Sequence, residues 1–392
     1  MFSEKIVVLV ILEPARNEMG YVSKYIPLIK KHIDSSLFEV HIIGSYLGVK
    51  PLKENFSNVH SVMFCPMAPR GIGLYIGYIS YLFSVFFKGI RFTAKTGAYI
   101  LVSLGGHVYS GLVVALISNL LNRKSIIRIS EPTRYIVRSR YFLGPLISSF
   151  IKVFERFAFS MSTVVISNRD MRWYSHKIGR KQVVLSQGVD LSKFNPGLDK
   201  ISSSTAFPRL ITVSRLDKQK NINSVIEAVG LLKIKYPKIL YYIVGSGPDE
   251  AYLRNKVANL SLDKHVCFYG QASPEDIPDL LRSCNLFVLS SFIEGLPSAV
   301  LEAMACGLPV IIGSTKFGWK EWFIDGENAL VVRGDSQGIA EAIVRVTSDD
   351  ELRGRLVENG EIYVRKYHNS SRTKQQFTRI VNQLLKNDAG KK

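Results

Sequence analysis

EGLPSAVLEAMACGLPV, running from Glu294 to Val310, decides how the rest of this 392-residue chain is read. Two carboxylates, Glu294 and Glu302, bracket seven residues that are mostly small or apolar. Pro297 suits the first position of a helix, where its missing N–H costs nothing, and Gly307 suits the residue just past the end. Glu294 then falls in the loop ahead of the helix. Glu302 lies a turn and a half inside it, roughly 7 to 8 Å along the axis from Pro297 at about 1.5 Å per residue. Glutamates on a helix are ordinarily solvated surface charge, but the company here implies a buried helix, where a carboxylate needs a partner. A pair so spaced can grip two separated hydroxyl-bearing parts of one ligand.

Outward from this segment, short β-rich runs alternate with helix-length stretches along the whole chain. Strands are expected at 6–12, 40–43, 99–104, 125–129, 163–166 and 182–185, and in a second series at 210–213, 240–244, 266–269, 286–289, 310–312 and 329–332. That is the pattern of doubly wound parallel sheets. A polar, turn-rich stretch, NPGLDKISSS from Asn195 to Ser204, separates the two series. The expected fold class is α/β, with two Rossmann-like domains facing one another across a cleft. Their expected bounds are 1–190 for the N-terminal domain, 191–208 for a linker, 209–369 for the C-terminal domain and 370–392 for a terminal helix. Length and a 47% hydrophobic content allow two cores of this size.

In such sheets the ligand sits at the carboxyl ends of the strands. Arg215 follows strand 210–213 directly and Lys220 sits near the start of the next helix. Two cations beside a helix N-terminus, with its dipole and unpaired N–H groups, suit a diphosphate. The sequence has no Asp-x-Asp motif and no His/Cys cluster at metal-ligand spacing. Protein cations are therefore expected to stand in for a metal, and turnover to be metal-independent. The four cysteines, Cys65, Cys267, Cys284 and Cys306, are scattered and read as buried thiols in a reducing compartment.

Net charge is +19, and it is unevenly spread. Residues 1–185 hold 24 Lys and Arg against 9 Asp and Glu, whereas 186–392 hold 27 against 23. Such a field draws phosphates, nucleic acid or an anionic membrane. None of the usual nucleic-acid modules appears, so no nucleic-acid partner is expected. Two aromatic, apolar stretches do lie beside cations: IGLYIGYISYLFSVFF from Ile72 to Phe87, near Arg70, Lys88, Arg91 and Lys95, and YFLGPLISSFIKVFERFAF from Tyr141 to Phe159, preceded by Arg134, Arg138 and Arg140. They suit the headgroup region of an anionic bilayer. They equally suit core helices that carry Lys and Arg at their ends. Sixteen uncharged residues at 72–87 fall short of the roughly 20 a spanning helix needs. Met1 to Leu12 reads as a first strand and not as a signal segment. The expectation is a cytoplasmic protein, peripheral on the inner face of the cell membrane.

Several further stretches share an order with the Glu-x7-Glu segment and its continuation EAMACGLPVI. They are VSRLDKQK at 213–220, Val244-Gly245-Ser246-Gly247-Pro248, and Gly188-Val189-Asp190 with Phe194 and Pro196. Together they resemble the signature of the retaining glycosyltransferases of family 4, which have the GT-B architecture. The resemblance implies that Glu294 meets donor-sugar hydroxyls, with Gly295 and Leu296 near the phosphate or sugar, and that Glu302 holds the ribose. It places Gly245 among the donor-binding residues, Gly270 and Gln271 at the base, and His107 against the donor sugar. With Arg215, Lys220 and Glu294, His107 completes the expected catalytic set. It also implies front-face attack with the leaving phosphate taking the acceptor's proton, and a terminal helix packing back across the cleft. The N-terminal half matches less well. Glu13 to Gly20 replaces the family's Gly-Gly loop, leaving Arg16 and Gly20, together with Arg128 and Glu131, as acceptor-side candidates.

The expected function is metal-independent, retaining, hexosyltransferase-like transfer from a nucleotide-sugar co-substrate. The donor is a UDP-sugar on family habit, and the acceptor is lipid-linked or a surface glycan at the cytosolic membrane face. No other cofactor is expected. A soluble enzyme making a small glycoside and a non-catalytic GT-B scaffold remain as alternatives. A sugar-nucleotide epimerase of the same fold is disfavoured by the Arg-Lys and Glu-x7-Glu arrangement.

Overall fold

Runs such as IVVLVI at Ile6–Ile11 and LFVL at Leu286–Leu289 are apolar at every position because their strands are covered on both faces. The computed structural model describes residues 6–12, 26–45, 49–62, 72–104, 108–129, 144–168, 178–186, 188–197, 206–292, 294–313 and 322–389. The chain divides into two compact units, 1–188 with 371–392, and 189–370.

In the first unit the order is β1 (Ile6–Ile11), α1 (Ile26–His32), β2 (Phe38–Ser45), α2 (Val49–Lys53), β3 (Asn58–Val62), α3 (Ile72–Thr96), β4 (Ile100–Ser103), α4 (Val108–Leu120), β5 (Lys124–Ile129), α5 (Gly144–Met161), β6 (Val164–Ser167) and β7 (Gln182–Val184). All seven strands are parallel, in the order β3-β2-β1-β4-β5-β6-β7. Alternate residues of each strand serve opposite layers. Leu9, Ile11 and Leu101 pack with Tyr81 and Val85 of α3 and with Val113, Val114 and Ile117 of α4. Ile127 and Val165 pack with Ala158 and Phe159 of α5. On the other face Val8, Val10, Ile100 and Val102 share a core with Phe377, Ile380, Val381 and Leu384, which come from the far end of the chain.

The second unit runs β8 (Arg209–Val213), α6 (Ile222–Leu232), β9 (Leu240–Val244), α7 (Glu250–Asn259), β10 (Val266–Gly270), α8 (Ile277–Arg282), β11 (Leu286–Leu289), α9 (Ser298–Ala305), β12 (Val310–Gly313), β13 (Leu330–Val332), α10 (Ser336–Ser348) and α11 (Asp350–Tyr367). Its six parallel strands are ordered β10-β9-β8-β11-β12-β13. Helix α12 (Ser370–Ala389) then supplies the four core residues to the first unit. Phe194 is buried in the second unit's core, and Arg282 donates to the carbonyls of Lys193 and Asn195, so part of the expected linker is ordered on that unit.

Two local expectations change. Strand β3 is an addition to the expected series, because NVHSV is a polar sheet-edge strand without an apolar run. Pro297 is the extended N-cap of α9 (φ −77°, ψ 117°), and the helix begins one residue later, at Ser298. Gly307, at φ +75°, takes the left-handed position just past the helix end, as its type suggests.

Candidate active site

Both sheets reverse their winding between two adjacent central strands, β1 and β4 in the first unit and β8 and β11 in the second. Ligands of such sheets sit at the carboxyl ends of the two strands flanking the reversal, where the loops diverge and leave a crevice. In the second unit these strands pair directly, Leu210 with Leu286 and Ile211 with Phe287, and the loops leaving them carry Arg215 and Lys220 on one side and Glu294 on the other.

After β8 the chain makes a 3-10 turn, Lys218–Lys220. Asp217 organises it: one carboxylate oxygen accepts the Gln219 N–H at 3.1 Å, and the other accepts Nε of Arg215 at 2.9 Å and also its Nη2. Asn221, left-handed at φ 50°, swings the chain into α6, and its side chain donates to the Gly334 carbonyl at 2.7 Å. Two bonds tie this turn to the end of β11. The Phe292 N–H donates to the Gln219 carbonyl at 2.8 Å, and the Ser290 hydroxyl donates to the Asn221 carbonyl at 2.9 Å. They bring the two loops together, and the Lys220 ammonium donates to Oε1 of Glu294. The carboxylate is 7% exposed and the lysine side chain 20%, so each is the other's main compensation for lost water.

The strand ends on the other side are laced in the same way. Ser214 N–H donates to Val244 O and Leu216 N–H to Ser246 O, each at 3.0 Å, and Gly245 N–H donates to Gly270 O at 2.7 Å. Gly245 sits at φ +134°, and a Cβ there would lie 1.9 Å from the Ser214 carbonyl oxygen. No other residue fits this crossing. Gly270 has open space where a Cβ would stand, and Gln271 after it is exposed.

Gly295 and Leu296 are buried at the entry to α9. Glu302 is half-buried on the helix itself, and its main-chain carbonyl accepts the Cys306 N–H at 3.1 Å. Burial pushes the Cys306 thiol up to about 12, with Arg282 opposing and the Glu302 charge adding to the rise. Arg128, offered above as an acceptor-side cation, is 3% exposed and donates to the Asn168 side chain at 3.2 Å within the first unit. Arg16, Gly20, His107 and Glu131 lie outside the described residues; in sequence the first three follow β1 and β4.

Asp217, Gln219, Asn221 and Ser290 join the site only in three dimensions. Asp217 was legible as a cap two residues after Arg215, and Asn221 as a residue that tolerates the left-handed region. Ser290 and the Gln219 carbonyl carried no local signal.

Residues 199–362 match the family model of glycosyl transferases group 1. The lipopolysaccharide core biosynthesis glycosyltransferase LpsE of Rhizobium meliloti is 32% identical over 194 residues, which cover 49% of this chain and 52% of LpsE. The chain thus spans about half the length of this curated relative. Among solved structures, HepE of Anabaena, determined in complex with UDP, superposes with a TM-score of 0.77 at 18% identity over 96% of this chain and 100% of HepE. Sucrose-phosphate synthase of Thermosynechococcus elongatus superposes with a TM-score of 0.79 at 19% identity, over 97% of this chain and 99% of that one. The fold is GT-B.

Proposed function

We propose that this chain is a retaining glycosyltransferase that moves a sugar from a nucleoside diphosphate donor, a UDP-sugar, to a lipid-linked or surface-glycan acceptor at the cytosolic face of a membrane. The observation that carries the reading is the Lys220–Glu294 pair at the winding reversal of the second unit. In this structure the two charges satisfy each other. A donor exchanges that pair for two matched contacts, ammonium to diphosphate and carboxylate to sugar hydroxyls, so neither group is left buried alone.

Arg215, held by Asp217 through Nε and Nη2, keeps its charge on the same turn. As the sugar–phosphate bond breaks, negative charge grows on the leaving diphosphate, and Arg215 and Lys220 stabilise that charge more than they stabilise the ground state. The leaving phosphate takes the proton of the attacking hydroxyl on the same face of the sugar, which retains configuration. Gly245, Gly270, Gln271 and the Gly295–Leu296 entry to α9 line the donor's path, and Glu302 holds the ribose. His107 faces the donor sugar in this reading, and protein cations replace a metal.

The name of LpsE supports a glycan acceptor on a lipid. Among the described residues no helix is long and apolar enough to cross a membrane, so the membrane contact proposed is peripheral. The test is calorimetric titration with UDP and with GDP in the presence of chelator, for the wild type and for Lys220→Ala. Micromolar UDP binding, weakened at least tenfold in the variant, is expected. If neither nucleotide binds, the reading is wrong.

A further inference from the structure

The outer layer of the first unit carries more exposed aromatic surface than folding requires. Helix α5 buries Ile151, Glu155, Ala158 and Phe159 and turns Phe150, Val153, Phe154 and Phe157 outward. Those four positions, at spacings of three and four, form one continuous stripe on the helix. Helix α3 repeats the arrangement with Phe83 and Phe87 outside and Tyr81 and Val85 inside, and α4, packed against both helices, adds exposed Leu116 and Leu120. Phe83, Phe87, Phe150 and Phe157 each expose 58 to 64% of their surface. Apolar residues scattered singly are ordinary on a surface, but a stripe repeated on neighbouring helices marks a contact face.

Charge identifies what it contacts. Among the described side chains of these three helices, the exposed charges are Arg91 and Lys95 on α3 and Lys152 and Arg156 on α5; Lys88 is half-buried. The one carboxylate, Glu155, is 1% exposed and faces inward. A second copy of the chain meeting this face would set cations against cations. An anionic bilayer offers the opposite sign and an apolar interior at the depth of a phenylalanine ring.

We propose that the outer face of α3, α4 and α5 is the surface that seats the protein on an anionic lipid bilayer, with Phe150, Phe154 and Phe157 entering the headgroup region and Lys152 and Arg156 held at lipid phosphates. The inference rests on the reading of a membrane-borne acceptor. It names the face that meets the membrane.

The full chain is tested by co-sedimentation with vesicles of phosphatidylcholine alone and of phosphatidylcholine mixed with phosphatidylglycerol. Salt-sensitive binding to the anionic vesicles only is expected, with Phe150→Ser/Phe157→Ser lowering the partition at least tenfold. UDP titration of the same variant reports whether the donor site and fold are intact. Phe157→Trp gives a second readout, an added blue-shifted emission component with anionic vesicles. The proposal fails if the wild type does not sediment, if the double variant binds as the wild type does, or if the emission added by Phe157→Trp does not move. It fails equally if the stripe proves to hold a dimer that the double variant dissolves without any change in vesicle binding. Loss of nucleotide binding in the wild type would instead overturn the donor-site reading and leave the vesicle result to stand by itself.

Discussion

Lys220 and Glu294 are each costly to bury and are tolerable together, so the pair should behave as one unit in stability as well as in binding. Lys220→Ala leaves a carboxylate at 7% exposure without its cation, and a loss of about 1 to 3 kcal/mol is expected. The double variant Lys220→Ala/Glu294→Ala should lose less than the sum of the two single losses, read from urea unfolding; strict additivity would show that the two do not interact. A second buried group has a pH signature. His368, against the Tyr363 ring at 5.0 Å, is pushed by burial down to about 4 from an ordinary 6.5. The unfolded chain therefore binds a proton that the folded chain refuses between those values. Stability is fully present above about pH 6.5 and falls as the pH drops toward 4, by about 2 kcal/mol between pH 7 and pH 5 for this group. Urea midpoints at the two pH values, for the wild type and His368→Gln, check this; an equal fall in both proteins would assign the loss to other groups.

The elements that build the site are loops after parallel strands, and their precision comes from close backbone crossings. Gly245 is the tightest, with its missing Cβ 1.9 Å from the Ser214 carbonyl oxygen and its φ at +134°. Gly245→Ala must displace the turn after β8 that carries Arg215 and Lys220. A destabilisation of about 2 to 4 kcal/mol is expected, together with weakened UDP binding. Unchanged urea unfolding and nucleotide titration in this variant would mean that the crossing relaxes freely. Reading elements from the sequence works where burial is two-sided, as in β1, β9 and β11, because nothing but an apolar run survives there. It misses β3, which borders water at the sheet edge, and it places the start of α9 one residue early, because a proline fits both the N-cap and the first turn.

At the scale of the whole molecule, helix α12 belongs to the first unit although it follows the second in sequence. Phe377, Ile380, Val381 and Leu384 of α12 are buried against strands that were made more than two hundred residues earlier. At about 1.5 to 3 kcal/mol for each large apolar side chain, their removal takes away an amount comparable to the whole stability of a domain. Truncation after Ser370 should abolish cooperative folding of 1–188 and leave 189–370 folded. Limited proteolysis with mass mapping would show cleavage confined to the first unit, and a first unit that resisted protease would refute the argument. The sequence by itself determined the two series of parallel strands, the helix between Glu294 and Gly307 and the residue types of the candidate site, because apolar period, capping and turn chemistry act over a few residues. Only the tertiary structure decided that Lys220 meets a carboxylate 74 positions away, that Arg128 is buried and donates to Asn168 and that α3 and α5 keep a phenylalanine face outside. Strand order and the choice of which helix face is covered are set by contacts between distant segments, and no local pattern encodes them.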